Sequence, residues 1–224
     1  MSEHPYWIAF GDIHGHTAAF RRIPELAGAT GVLITGDLTN VGGVAEAKEV
    51  VEAVKAVNPR ILAQIGNMDL APVEAWLDAQ GMGMHRKAIE LAPGLGIMGV
   101  GWSNPTPFGT PSEAPDATLG QWLAETYEKA KAFAHLILAS HTPPFGGKGD
   151  VVGNGAHVGS KAVREFILRV KPALCLTGHI HEAQSLETIG ETLVVNPGDL
   201  ASGGYVRVGY DGHAVTAELL RVRP

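Results

Sequence analysis

Residues 6–14 read Tyr6-Trp7-Ile8-Ala9-Phe10-Gly11-Asp12-Ile13-His14: a short apolar run, a glycine, then an acid and a histidine two positions apart. A run this short and continuous predicts a strand covered on both faces, as in a sheet flanked by helices. The same pattern recurs four more times. Val32–Thr35 leads into Gly36-Asp37, and Ile61–Ile65 into Gly66-Asn67-Met68-Asp69. Leu136–Ala139 leads into Ser140-His141, and Ala173–Thr177 into Gly178-His179-Ile180-His181. In open α/β sheets ligands bind at the carboxyl ends of strands, so these five ends predict one shared site. The small residue before each polar one permits a sharp exit and lets the backbone approach what is bound.

Working outward, helical periodicity fills the spaces between the runs. Val44, Ala47, Val50, Val51, Val54 and Val57 form one apolar stripe, ended by Asn58-Pro59. Thr118 can cap a second helix, with Gln121 closing a capping box. Val163, Phe166, Ile167 and Val170 mark a third, stopped at Pro172. The last third changes to consecutive strands: Gln184–Ile189, Thr192–Val195, Tyr205–Tyr210 and Ala214–Leu220, the final pair joined by Asp211-Gly212 as a hairpin. Strand–helix alternation followed by consecutive strands predicts a layered α/β sandwich with mixed sheets. Two stretches resist assignment, Trp102–Asp116 with its prolines and Thr142–Gly159 with its glycines. Loops of that length in a compact domain are usually lids or binding loops.

Composition sets the outer bounds. The chain has 224 residues, 45% hydrophobic and 18% charged, which suits a single domain over 1–224 and excludes a wholly disordered chain. The net charge is −6, and the densest basic pairs are Arg21-Arg22 and Arg86-Lys87. That distribution argues against a duplex nucleic acid partner and for a small compound over a long polyanion. The single cysteine, Cys175, sits in an apolar run and cannot form an internal disulfide, which fits a reducing compartment. No apolar stretch approaches the ~18 residues of a membrane span, and the start of the chain lacks the basic segment of a signal peptide. A cytoplasmic protein without a membrane partner is expected; nothing in the sequence bears on oligomeric state.

Taken singly, each strand end has an ordinary reading. A Gly-Asp after a strand is commonly a turn or a helix N-cap, and a lone histidine there a hydrogen-bonded loop residue. Those readings do not explain why all five ends carry a potential metal ligand. Four imidazoles, two carboxylates and a carboxamide suffice for two ions.

The five motifs together resemble the calcineurin-like metallophosphoesterases, whose pattern is D-x-H, G-D, G-N-H-[D/E], a lone H, and G-H-x-H. The resemblance spans residues 10 to about 200. It implies a four-layer αββα sandwich, two mixed β-sheets flanked by helices. Carried over residue by residue, it implies one ion on Asp12, His14, Asp37 and His181, and a second on Asp37, Asn67, His141 and His179. Asp37 would bridge the two. Imidazole with carboxylate suits Mn, Fe, Zn or Ni, so the expected cofactor is two divalent transition-metal ions. The implied activity is hydrolysis of a phosphate monoester or diester by a hydroxide bridging the two ions.

Three positions stand apart. Met68 occupies the place where many family members have a histidine thought to protonate the leaving group, and a thioether cannot donate a proton. His16 is a candidate substitute, set against a surface histidine at the start of a helix. His157, in the glycine-rich segment, could close over substrate together with Asn67, or simply face solvent. Asp199, after Asn196-Pro197-Gly198, reads as a turn. Two competing functions remain. An amidohydrolase would explain His14-Gly15-His16, but needs an eight-stranded barrel longer than this chain. A non-catalytic metal-binding scaffold of the same fold would explain Met68, yet leaves seven polar groups at one edge without a task.

Overall fold

Alternate residues of the first strand decide the layering. In the computed structural model, which describes residues 4–222, β1 (Tyr6–Phe10) turns Ile8 and Phe10 to one face and Trp7 and Ala9 to the other. Ile8 and Phe10 pack with Val32 and Ile34 of β2 (Gly31–Ile34) and with Ala47, Val50, Val51 and Val54 of helix α1 (Val44–Lys55). Trp7 and Ala9 face Ile137, Ala139, Leu174 and Leu176, which belong to a second sheet. Each central strand thus buries both faces, which is why the runs are apolar throughout rather than alternating.

The first sheet has the order β11-β10-β1-β2-β3, with β3 at Ile61–Ala63, β10 at Gly204–Tyr210 and β11 at Val215–Arg221. β1, β2 and β3 run parallel, while β10 pairs antiparallel with β1. The second sheet has the order β4-β5-β6-β7-β9-β8. Its strands are β4 (Ala88–Ala92), β5 (Leu95–Val100), β6 (His135–Ser140), β7 (Leu174–Leu176), β8 (Ser185–Ile189) and β9 (Thr192–Asn196). Helices α1 and α2 (Pro72–Ala79) cover the first sheet. Helices α3 (Asp116–Ala130) and α4 (Lys161–Val170) cover the second, through Leu119, Leu123, Val163, Phe166 and Ile167. The result is the αββα sandwich expected above.

Several local expectations need correction. Thr118 is not an N-cap: α3 starts at Asp116 after Pro115, and Gln121 donates to Glu125 instead of closing a capping box. Helix α2 and strands β4 and β5 carry no signal used above. In β5, Gly96 and Gly99 interrupt the apolar run because a Cβ there would meet Phe133 and Met84. No α-helix starts near His16; a 3₁₀ turn at Phe20–Arg22 follows instead. The Asp211-Gly212 hairpin is present, with Asp211 accepting the backbone N–H groups of His213 and Ala214.

Candidate metal centre

The parallel strands β1, β2, β3, β6 and β7 all end at one edge of the sandwich, where the two sheets meet. The segments after β1 and β2 are zipped together by backbone bonds, Asp12 N–H to the Gly36 carbonyl and Ile13 and His14 N–H to the Asp37 carbonyl. Glycines at these exits are required by space. A Cβ on Gly66 would fall 2.1 Å from Asp37 Oδ1, one on Gly178 2.3 Å from Asp12 Oδ2, and one on Gly36 2.4 Å from His141 Nδ1. Asp12, His14, Asp37 and His179 themselves adopt left-handed backbone, with φ of 50°, 47°, 50° and 71°. That conformation costs roughly 1–2 kcal/mol per non-glycine residue, so four in one place mark a site held by its surroundings.

Seven side chains meet there. Single ligand atoms of Asp12, His14 and His181 lie within 4.8 Å of one another, as do those of Asp12, Asp37 and His141. Asp12 is common to both groups, and Asp37 Oδ2 stands 3.4 Å from His141 Nε2 and 3.8 Å from His14 Nε2. His141 Nε2 is 3.0 Å from Asn67 Oδ1, and the His141 and His179 rings are 5.2 Å apart. His181 Nε2 lies 3.3 Å from Asp12 Oδ1 and 3.1 Å from His14 Nε2.

The surroundings set the state of each group. His14 Nδ1 sits 3.2 Å from the Thr39 carbonyl, which makes Nδ1 the donor and turns the Nε2 lone pair to the site. Burial favours a neutral Asp12 carboxyl, but the His181 hydrogen bond and the charges of His141, His181 and His14 hold it below the usual carboxylate range. Burial opposes charge on His141 as well; Asp37, Asp12 and Asp69 outweigh it and push the imidazole up to about 9. Burial, with His141 alongside, pushes His179 down to about 4. His141 Nδ1 is buried without a hydrogen-bond partner. Basic nitrogens facing one another, carboxylates among them and an orphaned ring nitrogen form a donor set that divalent transition ions fit.

Asp69 is a supporting residue that the sequence reading placed in a motif but gave no role. Its fully buried carboxylate accepts from the backbone N–H groups of Leu38, Thr39 and Gly66 and from the Thr39 hydroxyl. It thereby clamps the loop carrying Asp37 to the loop carrying Asn67, and fixes the Thr39 carbonyl that orients His14. Burial and the Asp37 charge raise its carboxyl to about 6.

The two unassigned stretches form the walls. A cavity of about 1270 Å³ is lined by ligand candidates, by Asn104, Phe108 and Thr110 of the first stretch, and by Phe145 and His157 of the second. Asn104 ties the two together through the Val158 carbonyl, and Thr110 accepts from the Asn67 side-chain amide. His16 and Met68 also line the cavity, His16 exposed and Met68 half-buried. Asp199 makes the expected turn, accepting from Ser202 N–H, and is also one of the residues lining the cavity.

A sequence profile of the metallophosphoesterases of the calcineurin superfamily matches residues 114–220. The uncharacterized protein MJ1162 of Methanocaldococcus jannaschii is 30% identical over 197 residues, which is 85% of this chain and 86% of that protein. The chain belongs to the calcineurin superfamily of metallophosphoesterases. Solved structures agree on the fold of this metallophosphoesterase. TT1561 of Thermus thermophilus superposes with a TM-score of 0.74 over 98% of this chain and 100% of its own, at 22% identity. A dimetal phosphatase from Danio rerio gives 0.62 over 99% and 100%, at 10% identity. Divalent metal use is a property of the superfamily, and the two ligand groups of this metallophosphoesterase are where such ions would lie.

Proposed function

We propose that the protein hydrolyses an ester of phosphate with an apolar or flat alcohol part, using two divalent ions. Asp12, His14, Asp37 and His181 would hold one, and Asp37, Asn67, His141 and His179 the other. The observation that carries this reading is the position of Asp37 Oδ2 between His14 and His141. When bound, the ions supply positive charge against the phosphoryl oxygens and acidify the attacking water.

The chain's own residues do the rest. Thr39 holds His14 in the tautomer that aims Nε2 inward, Thr110 fixes the Asn67 amide, and Asp69 sets the spacing of both loops. The walls narrow the substrate. At about 1270 Å³ the cavity exceeds the roughly 300–1,000 Å³ of common ligand pockets, and Pro105, Pro107, Phe108, Phe145 and Val152 make much of its lining apolar. Lys161 is the one Lys or Arg among the lining residues, so the phosphoryl group must find its counter-charge at the metals. Among the described residues no helix is long and apolar enough to cross a membrane. The buried, unpaired Cys175 supports a reducing, cytoplasmic setting.

The test is metal-stripped protein reloaded with Mn, Fe, Zn, Ni or Mg and assayed on phosphomonoesters and diesters with aromatic and small alkyl alcohols. We expect hydrolysis only after reloading and fastest with aromatic alcohols. Two bound ions without turnover of any ester would establish the non-catalytic scaffold instead.

A further inference from the structure

We propose that His157 is the proton donor to the leaving oxygen and that Asp150 is the positioning residue that aims it. This deepens the phosphoester-hydrolysis reading and rests on it. The Met68 thioether at the cavity wall has no proton to give, so a donor must come from elsewhere in the lining.

The glycine-rich loop supplies one with its own support. Asp150 is fully buried, and its carboxylate accepts from Gly146 N–H at 2.9 Å, Gly147 N–H at 3.0 Å and Gly159 N–H at 3.1 Å. The remaining partner is His157 Nδ1, 2.7 Å from Asp150 Oδ1. A carboxylate fixed by three backbone donors and turned on one ring nitrogen orients the ring and holds Nδ1 as its donor, the division of labour seen between acid and histidine in hydrolytic triads. His157 is otherwise open, with 40% of its side chain exposed, and it lines the same cavity as Asp12, Asp37 and the site histidines. Its Nε2 has no hydrogen-bond partner among the described residues, and Phe145 packs on the ring at 5.8 Å. The loop is pinned to the opposite wall by the Asn104–Val158 bond.

His16 lacks all of this. Its ring has no hydrogen-bond partner among the described residues, and only its backbone N–H is held, by the Ile13 carbonyl.

In the step proposed, the attacking water oxygen forms a bond to phosphorus as the phosphorus bond to the ester oxygen breaks. The electron pair of the broken bond goes to the leaving oxygen, which takes the Nε2 proton of the His157 imidazolium. The ring is left neutral, with Nδ1–H still on Asp150. The proton lost by the attacking water passes to solvent, and uptake of one from solvent restores the imidazolium for the next turnover.

The test compares esters of differing leaving group on the metal-loaded full chain. His157→Ala and His157→Gln should slow alkyl phosphate esters by about 100-fold or more, and 4-nitrophenyl esters by less than about threefold, because general acid help matters most for poor leaving groups. Metal content by elemental analysis should be unchanged, and added imidazole should restore part of the alkyl rate to His157→Ala. Asp150→Asn should show a weaker alkyl-selective loss; the two His157 variants, altered only at an exposed ring, decide the matter if it fails to fold. Equal slowing of both ester types, or none, would overturn the assignment. So would an alkyl-selective loss in His16→Ala in place of His157→Ala. If the unaltered, metal-loaded chain hydrolyses no ester at all, the parent reading fails and this one with it.

Discussion

The backbone N–H of His179 donates to both carboxylate oxygens of Asp12, at 3.1 and 3.0 Å. Asp12 leaves the end of β1 in the first sheet and His179 the end of β7 in the second, so this pair stitches the two sheets together at the candidate metal centre. Both residues hold left-handed backbone. The geometry of the centre is therefore a property of how the sheets dock, and perturbing the docking should be read in metal affinity.

Asp37 Oδ2 faces both His14 Nε2 and His141 Nε2, as a carboxylate shared by the two proposed ions would. Asp37→Asn replaces an acceptor oxygen near His14 and His141 with a donor or weakens its charge, so it should lower occupancy of both ions. Asn67→Ala should weaken mainly one. The unaltered protein should hold about two ions after reconstitution, by two-metal logic. Elemental analysis that finds both ions retained in Asp37→Asn would exclude the shared carboxylate.

A methyl group at Gly66 has nowhere to go. It would stand 2.1 Å from Asp37 Oδ1 and 2.6 Å from His141 Cε1, both on buried side chains. Gly66→Ala should cost on the order of 1–3 kcal/mol of stability, as overpacking does. It should also lower metal affinity by about 10–100-fold, as loss of a ligand's support does. Urea denaturation of the metal-free protein and calorimetric metal titration measure the two; unchanged affinity would show that Asp37 and His141 yield without loss.

His85 lies outside the metal centre, at the root of the first lid stretch. Its Nδ1 accepts the Gly101 N–H at 3.0 Å, and burial with Arg86 nearby pushes its pKa down to about 4. The folded value is below the ordinary 6.5, so the unfolded chain binds the proton first as pH falls. Stability from this group is fully present above about pH 6.5 and is lost progressively toward about pH 4, by about 3 kcal/mol at most. Urea denaturation at about pH 7 and about pH 4.5 should show a smaller acid loss in His85→Gln than in the unaltered protein. An equal acid loss in both would rule His85 out as its source.

Much of this was legible because the parallel strands are buried on both faces and end on polar residues. Continuous apolar runs mark such strands without any periodicity to interpret, and the five ends then pick out Asp12 through His181. What escaped depends on contacts distant in sequence. β5 reads as glycine-broken because Gly96 lies under Phe133, and α2 has no capping side chain at Ala71. Asp116 begins α3 while its carboxylate serves the start of α4, accepting from Ser160 and the Ala162 N–H, a tie that no local pattern encodes. Asp150 is likewise set apart only by its buried contacts with Gly146, Gly147, His157 and Gly159.

The position of β1 has a consequence for how the chain is made. β1 is flanked by β2 on one side and β10 on the other, and β10 is in turn completed by β11. A ribosome delivers β1 well before β10, so the strand that leads into Asp12 and His14 waits through the synthesis of β2 to β9 with one edge unpaired. Closing that edge means joining segments from opposite ends of the described chain, the kind of long-range pairing that slows folding and leaves strand edges open to wrong partners. The final hairpin is thus the clasp that ends this exposure.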